Sequence, residues 1–214
     1  MSGRERLLDA ALRLMAEQGI DAVPLQVIVE TAEQRNASAV HYHFGSRFGL
    51  IDAVARRHQA RVDELRERML ASALSRPEVT LTDLSACMVL PIAAMMDTRE
   101  HRDGVRVVSQ VIIKYGFHTI LSADGEGRES LAEMWRAFEG ELHDVPVALR
   151  RQRIARVVAS QMAAWADRAT QIDAGRTPML SHQQFVADSI AVAAGALRAP
   201  AVDMRTLRWA VKLT

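Results

Sequence analysis

The chain has 214 residues, 49% hydrophobic and 25% charged, an ordinary folded composition that is large enough to bury a core. Its 27 basic and 26 acidic side chains leave a formal charge of +1, which excludes a histone-like tail or an acidic disordered solvator, so any nucleic-acid binding depends on where charges sit. A single cysteine, Cys87, excludes an intrachain disulfide and a multi-cysteine zinc site.

Aromatic residues make up only 5% of the chain and no segment alternates polar and apolar for long, so the predicted fold is all-α. No internal repeat or low-complexity tract is present. Leu7, Leu8, Ala11, Leu12, Met15 and Ala16 form a helical stripe, opened by Ser2 with Glu5 three residues on and stopped by Gly19. The charges interleaved there, Arg4 to Asp9, leave no apolar core for a signal peptide, which predicts retention in the cytoplasm. A short second helix starts at Pro24 and turns Leu25, Ile28, Val29 and Ala32 inward. Asn36 is placed to cap a third, from Ala37 to about His43, ended by Phe44 and Gly45. Ser46 then caps a long helix, Arg47 to about Leu74, with Leu50, Ile51, Val54, Val62, Leu65, Met69 and Leu70 on one side and arginines elsewhere.

Longer helices follow at roughly 81–97, 102–118, 128–143, 146–172 and 182–198, with a last from Met204. Thr80 and Thr82, the turn Gly125-Glu126-Gly127, Pro146, and Ser181 with Gln184 mark their breaks. The uncharged stretch Leu84 to Met96 holds Pro91 and falls well short of the roughly 20 residues of a membrane span, so no membrane partner is expected. The division is a three-helix module at 1–46 and a larger helical domain at 47–214, with 47–74 as connector.

Two short helices across a tight turn, braced by a longer one, predict a helix-turn-helix whose second helix can lie in the major groove of DNA. Such pairs also occur in bundles that bind nothing. The third helix is more informative, because Asn36, Ala37, Ser38, Ala39, His41, Tyr42 and His43 are small or polar and only Val40 and Phe44 are left to anchor it. A stripe that narrow is displayed outward. His41 and His43 stand two apart and point in different directions, so neither a metal nor a cofactor is expected there. Within residues 1–60 seven acids balance seven arginines, but Arg35, Arg47, Arg56 and Arg57 follow the turn while only Glu33 and Asp52 oppose them. That placement predicts few phosphate contacts and a moderate dependence of binding on salt.

Residues 4–55 resemble the TetR family of bacterial transcriptional repressors. RLLDAALRLMAEQGIDAV is similar to that family's first helix and turn, LQVIVETA to its second helix, and NASAVHYHFGSRFGLIDAV to its recognition helix and connector start. The Tyr42-His43-Phe44-Gly45-Ser46 motif is its strongest part, and Gln34-Arg35-Asn36 is similar to a subgroup with a turn about one residue longer. Glu33 stands where the family usually has glycine, and Phe48-Gly49 replaces its usual polar or acidic pair. The resemblance implies that Ser38, Ala39 and His41 face base edges, and that Tyr42, His43, Arg47 and Gln26, with Arg35 and Asn36 in the turn, hold the DNA backbone. For each of these the alternative is an ordinary solvated surface residue.

In the larger domain, methionines and aromatics on successive helices fit either an ordinary core or an adaptable apolar cavity. The resemblance favours a cavity for a small, largely apolar effector, lined by Met69, Cys87, Met88, Met95, Val108, Ile112, Tyr115, His118, Trp135, Phe138, Met162 and Trp165. Helix 146–172 is apolar over more than one face, and helix 182–198 interleaves large residues with alanine and glycine. With Val158, Phe185, Ile190, Ala194 and Leu197 at its centre, that pair is expected to form a four-helix homodimer interface as in this family, the alternative being full burial inside one chain. The function implied is a ligand-responsive repressor binding a palindromic operator. Its rivals are an all-helical enzyme, for which no G-x-S-x-G, Walker loop or H-E-x-x-H is present, and a protein-binding adaptor.

Overall fold

The computed structural model describes residues 1–34, 38–117, 129–203 and 205, and among these every regular element is helical. Nine helices follow in chain order: α1 Gly3–Gln18, α2 Leu25–Thr31, α3 Ala39–Phe44, α4 Arg47–Leu74, α5 Leu81–Ala93, α6 Arg99–Tyr115, α7 Glu129–Glu141, α8 Val147–Asp173 and α9 His182–Arg198. The turn at 125–127 and the helix expected from Met204 lie outside the described residues. No helix among the described residues is long and apolar enough to cross a membrane.

Local chemistry sets most of the ends. Ser2 and Glu5 close a reciprocal capping box on α1, as do Ser181 and Gln184 on α9. Ser46 Oγ accepts from Gly49 N at 3.0 Å to start α4. Three helices differ from the expected bounds most clearly. Helix α5 stops at Ala93 rather than near 97, because the chain just after Pro91 tightens into i→i−3 bonds, Met95 N to Ile92 O and Met96 N to Ala93 O. Helix α6 starts earlier, at Arg99, because Thr98 caps it through His101 N, and ends at Gly116, whose φ of 81° leaves the helix. Helix α3 is recorded from Ala39, with Ser38 before it in helical φ and ψ, while the predicted cap Asn36 is not among the described residues.

Helices α1 and α3 pack on α4 and α2 packs on α1 and α3, and every fully buried side chain among the described residues of 1–46 is apolar. The second half of α4 crosses α5, α6 and α7, α6 lies along α8, and α9 closes the bundle against α5 and α8. Arg102 and Arg106 of α6 both reach Asp173 at the end of α8, at 2.6 and 2.7 Å. The arginines of α4 do not all face outward as expected, since Arg66 is buried beside Asp63, with His58 and Gln59 a turn or two earlier on the same helix also buried.

Candidate DNA interface and effector cavity

Helix α3 is held by Val40, fully buried, and by Phe44, whose ring lies under the Arg4 guanidinium at 5.3 Å from its centre. Gly45, at φ 72°, ends it within two turns. Next to that corner Gly49 approaches the Phe44 carbonyl so closely that a Cβ would sit 1.9 Å from the oxygen, which accounts for glycine at this position. The exposed side is the expected one. Tyr42 is 85% exposed, His41 is exposed, and His43 is half-buried with its ring edge-on to Tyr42. His41 Nδ1 lies 3.0 Å from the Gly45 carbonyl oxygen; with Nδ1–H donating there, Nε2 is left facing outward as an acceptor.

Other residues expected at the interface are placed differently. Ala39 is half-buried against the core, leaving Ser38 and His41 more open than it is. Arg47 Nη2 donates to the Ile20 carbonyl at 2.8 Å, and Gln26 donates to Glu30 at 2.7 Å. The arginines following the turn are likewise engaged within the chain, Arg56 with Asp52 and Arg57 with Asp9. This corrects the basic bias read from their order, because one pair within α4 and one between α4 and α1 absorb the charge. Arg35 and Asn36 lie outside the described residues.

The cavity sits among α4, α5, α6, α7 and α8, with a volume of about 30 Å³. That is room for about one water molecule. Of the expected lining residues, Met88, Ile112 and Met162 are there, joined by Phe117 and Met134. The others are elsewhere. Met69 and Cys87 face an open groove between α4 and α5, where burial pushes the Cys87 thiol up and keeps it protonated. Val108 and Phe138 are core, Met95 packs against the core, and Tyr115 sets its ring edge-on to Phe48 at the junction with the N-terminal module. Trp135 stacks on the outer side of Phe117, and Trp165 turns away to Phe185 and His182 of α9. His118 is not among the described residues.

The polar wall is the part the sequence reading missed. His58, Gln59 and Arg66 reach the cavity from α4 and Gln161 from α8. Their signal is visible in hindsight, because His58, Val62 and Arg66 follow Val54 at four-residue steps on the buried stripe of α4, where a surface helix carries only apolar groups. Arg66 pairs with Asp63, and Ser130 of α7 donates to the same Asp63 oxygen at 2.9 Å. Burial, with the nearby charges of His101, Arg61 and Arg66, pushes the His58 imidazole down to about 3, so the ring is neutral at physiological pH. It lies flat against Gly104, where a Cβ would come within 2.1 Å of Nδ1. A larger cleft of about 570 Å³, between α1, the end of α2 and the start of α6, is open to solvent and edged by both signs of charge, Arg6, Arg13 and Arg99 against Asp9, Glu33 and Glu100.

The expected dimer residues divide. Phe185, Ile190 and Ala194 are half-buried on α9, but Val158 lines the cavity and Leu197 is fully buried, so neither can meet a second chain. On α9, Leu197 is buried while Ala191, Val192, Gly195 and Ala196 are exposed, and on α8 Ser160, Ala163 and Ala164 are exposed.

Helix α4 joins the two sites. Its first turn follows the recognition helix and its middle forms the cavity wall, while α6 grips the N-terminal module through Gln110, whose Oε1 accepts from Ile20 N at 2.8 Å. Arg99–Glu17 and Lys114–Asp21 flank that contact.

No curated protein sequence matches the chain. Solved structures of similar fold include a tetR family transcription regulator from Shewanella sp. PV-4 at 14% identity, covering 92% of this chain and 98% of that one with a TM-score of 0.57. Another, from Rhodococcus sp., is 16% identical over 91% and 96% of the two chains, with a TM-score of 0.54. FadR from Bacillus subtilis, solved with stearoyl-CoA, is 12% identical over 90% and 98%, with a TM-score of 0.51. At such identities the likeness is one of fold. The sequence profile of bacterial regulatory proteins of the tetR family matches residues 7–54, the helix-turn-helix and the start of α4. Residues 7–54 therefore match the DNA-binding module of tetR-family regulators, and they stand on a helical bundle of the fold those regulators share.

Proposed function

We propose that the protein is a homodimeric repressor, with a DNA-binding unit at 1–46 and an effector and dimerisation unit at 47–214, released from a near-palindromic operator when a small molecule enters the α4–α8 cavity. The observation that carries this reading is the course of α4, a rigid helix that begins at the recognition helix and forms the cavity wall. An effector that prefers a tilted α4 lowers operator affinity by its differential affinity for the two states. Base edges are read by Ser38 and His41 and, in place of the half-buried Ala39, by Tyr42, whose exposure suits it to that role rather than to the backbone contact the resemblance implies, with His43 and Arg35 holding the DNA backbone. Dimerisation uses the small-residue faces of α8 and α9.

Fluorescence anisotropy of the purified protein on its own upstream intergenic DNA, against a scrambled duplex at two salt concentrations, tests the first part. Tyr42→Ala or His41→Ala is expected to abolish the preference for the intergenic duplex with the melting profile unchanged. Undiminished binding by both variants rejects the recognition surface. Val192→Glu is expected to give monomers in analytical ultracentrifugation, and a dimer of unchanged stability removes the interface.

A further inference from the structure

Two amides line the cavity, Gln59 from α4 and Gln161 from α8. Both are buried, and each carries a side-chain oxygen with no hydrogen-bond partner. Arg66 Nε, buried between them in sequence order on the same wall, is also without one. Buried polar groups left in this way are costly, and folded proteins keep few of them unless something else supplies the partner. Three lining one cavity define a polar end. Its charge is already balanced, because the Arg66 guanidinium is paired with Asp63 and burial holds the His58 ring neutral. A ligand with a net charge would bring an uncompensated ion into a buried site. The rest of the wall is apolar, and Met88, Met134 and Met162 give it side chains that can rearrange to admit something larger than the present space.

From this we infer that the cavity selects an uncharged effector carrying a hydroxyl, phenol or amide on a compact apolar body, its polar group bound by Gln59, Gln161 and Arg66. The inference rests on the reading of this cavity as the effector site. The hydroxyl takes the position that one water would fill and donates to a glutamine oxygen, while the apolar body displaces the methionines.

Titration calorimetry of the intact protein at pH 7.5 with p-cresol, toluene, benzoate and benzylamine tests it. p-Cresol is expected to bind at least about tenfold more tightly than toluene, which has the same shape without the hydroxyl, and than either ion. In Gln161→Leu, close in volume to the parent, that ratio is expected to fall to about threefold or less while toluene binds as well or better. A damaged cavity would weaken both ligands together. A charged probe binding as tightly as p-cresol, toluene matching p-cresol in the parent, or an unchanged ratio in Gln161→Leu overturns the uncharged polar head and leaves the cavity standing as an effector site. If none of the four binds at millimolar concentration, the effector cavity itself is rejected together with this inference.

Discussion

The N-terminal module and the centre of the bundle are both built from amphipathic helices, yet they bury different things. Among the described residues of 1–46 every fully buried side chain is apolar, and the polar chemistry of His41 and Tyr42 is displayed outside. In the bundle, His58, Gln59, Asp63, Arg66 and Gln161 are inside. A reader of DNA needs a stiff apolar base under a polar exterior, since its ligand comes to the surface. A receptor for a small molecule carries its recognition groups inward, where each costs stability until it is satisfied. The difference predicts where the molecule is fragile.

The largest effect is expected at the buried ion pair. Arg66→Met leaves the Asp63 carboxylate without its cation in the interior, and stability in urea is expected to fall by about 3–5 kcal/mol. The double variant Asp63→Leu/Arg66→Met removes both charges and is expected to recover most of that loss. If the single variant melts like the parent, the interior of the bundle is no more sensitive to charge than the surface, and the contrast between the two regions fails.

Acid is expected to act on the bundle through His58. The unfolded imidazole takes up a proton near pH 6.5, whereas the folded one resists until about pH 3. Between those values the unfolded chain binds more protons, so the contribution to stability is complete above pH 6.5 and is lost as pH falls. The slope is about 1.4 kcal/mol per pH unit, or about 2 kcal/mol between pH 6.5 and 5. Carboxylates held low by hydrogen bonds or arginine, such as Asp83 beside Arg76 and Asp173 between Arg102 and Arg106, lose their contribution only at more acid pH. His58→Leu is therefore expected to flatten urea stability between pH 5 and 6.5. A slope unchanged in that variant assigns the acid sensitivity elsewhere.

The same contrast explains what was legible in the sequence. Periodicity placed α1, α2, α4 and α9 closely, and the caps at Ser2, Ser46 and Ser181 behaved as their chemistry requires. The outward side of α3 was readable because small and polar residues there left Val40 and Phe44 as the only anchors. The cavity was not, because a search for apolar residues finds core as readily as lining: Val108, Phe138 and Trp165 satisfy the pattern and pack elsewhere. Its distinguishing members are polar residues on an apolar stripe, which periodicity alone treats as interruptions. The pairing of Arg56 and Arg57 with acids, one of them on another helix, was hidden for the same reason, since charge order along the chain does not say which charges meet.

The smallest expected effect lies within the DNA-binding module, at a helix end with a counterpart in the bundle. Helices α2 and α8 finish in the same hydrogen-bonded way: Glu33 N to Glu30 O and Gln34 N to Val29 O in one, Gly175 N to Ile172 O and Arg176 N to Gln171 O in the other, all at 3.0 Å. The left-handed residue is Gly175 at φ 65° in α8 but Glu33 at φ 54° in α2, the one described residue other than glycine with positive φ. A Cβ in that conformation is disfavoured, so Glu33→Gly is expected to raise stability by about 1 kcal/mol. Glu33→Gln keeps the Cβ and removes the charge, and is expected to change stability by less than about 0.5 kcal/mol. Both variants remove an acid from the turn that leads into the recognition helix, so both are expected to bind operator DNA more tightly at low salt and to a similar degree. Equal stabilisation by glutamine and glycine would show that repulsion among charges, and not backbone conformation, sets the cost of Glu33.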